Sequence, residues 1–85
     1  MSDRAFAQMI RERDEALLSM DAARIRAYFL KYNNTPMPSD PEIFWIAVHK
    51  ARTALRSLPM EARSESKRWL IAHNAEPLDD GEVPV

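Results

Sequence analysis

The chain has no cysteine, a single glycine, and no apolar run approaching the roughly eighteen residues of a membrane span. Without cysteine there is neither a disulfide framework nor a thiolate zinc site, which is compatible with a reducing compartment. The glycine is Gly81, far along the chain, so no Gly-rich loop exists to cradle a nucleotide phosphate. β-Branched residues are few, which disfavours sheets. The opening Met-Ser-Asp-Arg-Ala-Phe carries neither the basic nor the apolar region of a signal peptide. A cytoplasmic protein that engages no membrane is the expectation.

What is present favours helices. Ala, Leu, Arg, Glu and Met are plentiful, and 46% hydrophobic against 29% charged residues is the balance of a chain that folds. At 85 residues it is expected to form one helical domain over 1–75, followed by a flexible or disordered acidic tail over 76–85. The fold class read from this is all-α, a compact bundle of three to four helices.

The stretch Pro41 to Leu58 is the expected centre. Phe44, Val48, Ala51, Leu55 and Leu58 recur at steps of four and three, widened by Ile43, Ala47 and Ala54. Ile43, Phe44, Trp45 and Ile46 point in four directions, so this first turn is expected to be covered from several sides. Asp40 precedes Pro41, which disfavours helical geometry at Asp40 and suits Pro41 to the first helical position. Asp40 therefore reads as the N-cap.

A first helix is expected from Asp3 to Ser19, capped by Ser2, with Phe6, Met9, Ile10, Ala16, Leu17 and Met20 inward and Arg13 at the rim. Asp21 reads as the N-cap of a second helix, Ala22 to about Tyr32, burying Ile25, Tyr28, Phe29 and Tyr32, with no Gly or Pro at the break, so fusion with the first into one bent helix is the alternative. Asn33 to Ser39 is a loop. A fourth helix opens at Pro59 and runs to about His73, with Ala62, Ser66, Trp69, Leu70 and His73 inward and Asn74 as a left-handed cap.

Net charge is -1, unevenly spread. Between His49 and His73 six basic residues against Glu61 and Glu65 give +4, while Glu76, Asp79, Asp80 and Glu82 make the last ten residues -4. Trp45, His49, Arg52 and Arg56 follow at steps of four, three and four, a row on the outer side of the central helix that reads either as partner-binding or as a core Trp45 with surface arginines and His49 stacked beside them. Such a row would grip an acidic partner, the Trp as anchor and the arginines as bidentate donors. Arg63, Lys67 and Arg68 on the fourth helix are further contacts for an acidic partner or nucleic acid. In the alternative reading, the third and fourth helices form a helix-turn-helix-like arrangement with 60–73 as recognition helix.

No enzyme is expected, and no catalytic residues are assigned. Ser64 and Ser66 lack a strand-turn elbow, and the two histidines stand on different helices without a His-x-x-x-His pair, so neither a serine nucleophile nor a metal site is predicted. No cofactor is expected.

Phe44-Trp45, Val48 to Thr53, Leu58-Pro59, Arg63, Ser66-Lys67 and Trp69-Leu70, with Arg13 to Leu18 and Tyr32 to Pro38, resemble a group of small uncharacterised proteins of bacterial prophages and mobile elements. In that group a Gly tends to stand where this chain has Asn33 or Asn74; Asn is the next best residue for a left-handed cap. The resemblance implies a bacterial host cytoplasm and a role in binding and modulating a host macromolecule. The expected partner is a protein, with a nucleic-acid regulator as the alternative and a self-assembling structural protein, a homo-oligomer, as the third reading.

Overall fold

The computed structural model describes residues 3–75, and there the chain forms four α-helices and no strand: α1 (Asp3–Ser19), α2 (Ala22–Asn33), α3 (Pro41–Ala54) and α4 (Met60–Ala72). None is long and apolar enough to cross a membrane. The expected all-α class is observed. The Ser2 cap and the acidic tail over 76–85 lie outside the described residues. The chain divides between Met37 and Pro38 into two compact units, each holding one pair of helices.

In the first unit α1 ends at Met20, which takes the left-handed conformation at φ 56°. The break needs neither Gly nor Pro. Asp21 then starts α2, its carboxylate accepting from the Ala23 and Arg24 amides at 3.0 and 3.3 Å. Ala16, Leu17 and Ile25 are buried and Tyr28, Phe29 and Tyr32 half-buried, so the inward stripe of α2 is as expected. The far end of the α1 stripe is not: Phe6 is exposed. Arg13 is half-buried beside Asp14 at 3.1 Å, a rim position. Asn34, left-handed at φ 54°, ends α2.

In the second unit Asp40 caps α3 as predicted, accepting from the Glu42 and Ile43 amides at 2.9 and 3.3 Å with Pro41 in the first turn. The helix stops at Ala54, four residues before the expected Leu58. Leu55 is extended, and the Leu58 amide donates back to its carbonyl at 3.1 Å. Pro59 bars any continuation past this turn: it pushes Leu58 out of helical geometry, and its missing N–H cannot extend the ladder. Leu58 is buried all the same, as part of the turn.

Pro59 stands just outside α4 as its N-cap, with its carbonyl accepting from the Arg63 amide at 3.1 Å. At the other end Asn74 is left-handed at φ 56°, its amide donating to Ile71 and the Ala75 amide to Leu70, at 3.1 and 2.8 Å. This pairing of bonds is a Schellman motif with Asn74 in the usual glycine position. Contacts between His49 and Ser66, His49 and Trp69, and Arg52 and Glu65 advance in opposite directions along the two helices, so α3 and α4 run antiparallel.

Candidate functional site

α4 packs on the side of α3 that carries Phe44, Val48, His49, Arg52 and Thr53, all buried. The predicted outer row is therefore corrected. His49 is 2% and Arg52 3% exposed, inside the packing of the second unit. Arg56 falls beyond the end of α3, exposed in the turn, and Trp45 is half-buried. The regular spacing was real but faced α4, where Ser66 and Trp69 meet the imidazole and Glu65 meets the guanidinium. The first turn is corrected too: Ile43 is 53% exposed and not covered from all sides.

His49 Nδ1 lies 2.9 Å from the Ser66 hydroxyl, both groups buried. Its ring stacks on Trp69 at 4.2 Å between centroids, and Trp69 stacks in turn on His73 at 3.8 Å. Two imidazoles thus clasp one indole. His73, expected to face inward, is exposed at the end of this stack. Its Nδ1–H donates to the Trp69 carbonyl at 2.8 Å, since a carbonyl can only accept. Burial, then the nearby Arg52 and His73, hold the His49 pKa down at about 4 against the opposing pull of Glu65. His49 is therefore neutral near pH 7. Arg52 Nη1 meets the Glu65 carboxylate at 3.7 Å, and Glu65 itself is largely exposed.

The outside of α4 is basic on one side and acidic on the other, with Arg68 at the border beside Glu61 and Glu65. Met60, Ser64, Lys67 and Ile71 follow at steps of four, three and four, with Arg63 and Arg68 beside them. Met60 is 72% and Ile71 66% exposed; Arg68 is exposed, Arg63 and Lys67 half-buried. Glu61, Glu65 and Ala72 occupy the other flank, and Ala62, Ser66 and Leu70 the buried edge. The result is a basic strip with an apolar side chain at each end. Sequence reading found its cations and missed Met60 and Ile71, which carry no charge signal and resemble core residues until exposure is known.

The first unit holds an open groove of about 200 Å³ lined by Glu12, Arg24, Tyr28, Lys31 and Tyr32 among others. The Tyr32 hydroxyl donates to Glu12, and Lys31 lies 3.5 Å from the same carboxylate and 4.9 Å from the Tyr32 ring centroid. The Tyr32 hydrogen bond, reinforced by Lys31, lowers the Glu12 pKa, and Lys31 is raised by Tyr32 and then Glu12. Burial raises that of Tyr28. Tyr32 and Lys31 meet Glu12, and Arg24 meets Glu15 at 3.2 Å, which makes the cluster a clasp between α1 and α2.

No group of three or more His, Asp or Glu able to hold a metal is found among the described residues. No family model matches this chain, and no curated protein or solved structure matches it.

Proposed function

We propose that this chain is a non-enzymatic binding module that acts by occupying a surface of another protein, and that the strip from Met60 to Ile71 on α4 is its contact surface. One observation carries the reading: two exposed apolar side chains bracket Arg63, Lys67 and Arg68 on one side of a single helix. That combination suits a partner with both carboxylates and apolar side chains, in which arginines bond carboxylates bidentately and the apolar ends exclude water. Nucleic acid would engage the same cations but has no comparable use for Met60 and Ile71. His49 and Arg52 leave the contact set because they are buried against α4, Trp45 because it is half-buried against Phe44 and His49 of its own helix, and Arg56 stays beside it. The resemblance to prophage and mobile-element proteins favours a host protein as the partner.

The test is affinity capture from bacterial lysate with and without nuclease, comparing wild type with a Lys67→Glu, Arg68→Glu variant whose helicity is checked by circular dichroism. The expected result is a protein retained after nuclease, released by moderate salt and lost with the folded variant. Nuclease-sensitive recovery would transfer the strip to the nucleic-acid reading. Thermal stability that rises with concentration, without a foreign partner, would favour self-assembly.

A further inference from the structure

The groove between α1 and α2 exists because two of its lining residues are small. Ala16 on one helix and Ala27 on the other each bring only a methyl group, which leaves open a hollow of about 200 Å³ that longer side chains would fill. That volume suits a small ligand, since a cavity of about 150 Å³ takes benzene. The lining is mixed in character. Tyr28 and Tyr32, with ring centroids 4.8 Å apart, add aromatic surface beside the alanines, while Glu12, Arg24 and Lys31 bring the charges. An apolar concavity with a few polar groups around it is the usual form of a small-molecule site.

The charged groups are not equally committed. The Glu12 carboxylate accepts from the Tyr32 hydroxyl and lies 3.5 Å from Lys31, so its acceptor capacity is turned towards its own neighbours. Arg24 differs. A guanidinium has five N–H donors, and Arg24 donates to Glu15 through Nη2 at 3.2 Å, in a pair whose side chains are both exposed. An exposed pair contributes little to stability, so exchanging Glu15 for another carboxylate costs little. The groove therefore offers a ligand donors more than acceptors, and a guanidinium holds a carboxylate by two parallel bonds. Ala27 and Tyr28 follow Arg24 by three and four residues, on the same side of α2. A ring attached to a carboxylate on Arg24 falls against them.

We propose that the α1–α2 groove is a binding site for a small, single-ring aromatic carboxylate, with the carboxylate on Arg24 and the ring over Ala16, Ala27 and Tyr28. The site uses no residue of α4, so it stands apart from the reading of the Met60–Ile71 strip. A ligand held by both helices adds to the clasp between them, and binding to the folded chain stabilises it by mass action.

The test is an amide NMR titration of the full chain with sodium benzoate, with acetate and benzyl alcohol supplying the two halves of the probe separately. Benzoate is expected to give saturating shifts centred on Ala16, Ala27 and Tyr28, which neither half reproduces. Arg24→Gln removes the charge and the fork, and Ala27→Leu fills the hollow from an exposed position. Each is expected to weaken benzoate binding about tenfold or more while helicity by circular dichroism is unchanged. Benzoate shifts that do not saturate, that fall on α3 and α4 instead, or that persist in both variants would overturn the proposal. Equal shifts with acetate would overturn it too, as a general response to anions. Should a variant lose helicity, the acetate and benzyl alcohol titrations of the unaltered chain still decide the matter.

Discussion

His49 is held in an environment that suits only its neutral form. Its ring is enclosed, bonded to Ser66 and stacked on Trp69, with the Arg52 cation close by. Its folded pKa of about 4 lies below the ordinary 6.5, so the unfolded chain binds a proton that the folded chain refuses as pH falls between those values. Stability is therefore fully present above pH 6.5 and declines towards pH 4, by on the order of 3 kcal/mol from this residue. Urea denaturation at stepped pH measures the slope, and His49→Gln should flatten it. The Ser66 hydroxyl belongs to the same account. Ser66→Ala leaves the buried Nδ1 without this bond and is expected to cost about 1–3 kcal/mol in the same assay at pH 7.

At the scale of the element, the boundaries follow from caps. Asp21 and Asp40 each satisfy two free amides, Pro41 fits the first turn, and Asn34 and Asn74 take left-handed positions. Asp40→Ala should lower stability by about 1 kcal/mol, seen as an earlier thermal midpoint. At position 74, Ala should cost about 1 kcal/mol while Gly is neutral or better, because only the Cβ opposes φ 56°. These signals are local, and so they were legible: the starts of α2 and α3 and the end of α4 lie within a residue of where side-chain chemistry puts them, whereas the left-handed Met20 that ends α1 carries no such signal. Facing is not local. The Leu55 stop depends on how α4 returns from Pro59, and the burial of His49 and Arg52 depends on Ser66, Trp69 and Glu65 from another helix. An apolar count along α3 alone cannot see those partners, which is why the candidate row was read as outward. The cations of α4 were found because charge is read directly from residue type.

Across the whole molecule, charge is segregated more than it is unbalanced. A net charge of -1 conceals a +4 stretch followed by a -4 stretch. For the chain in solution this means salt acts on binding more than on folding: the buried residues are mostly apolar, and the cations of the strip are screened within about 10 Å at 0.1 M salt. The Lys67→Glu, Arg68→Glu variant is accordingly expected to keep its thermal midpoint within about a degree or two, since surface changes cost little, while losing partner capture. A variant that unfolded instead would show that these side chains support the α3–α4 packing.

The most direct measurement of the central claim is site-specific photocrosslinking in intact cells, with a benzophenone amino acid placed at Ile71 on the strip and, in a separate chain, at Leu30 on α2, which is also exposed. The account predicts a discrete protein adduct from Ile71 that is resistant to nuclease, weakened by Lys67→Glu, Arg68→Glu and absent from Leu30. Adducts of equal yield and pattern from both positions, or none from Ile71 while Leu30 gives one, would contradict it.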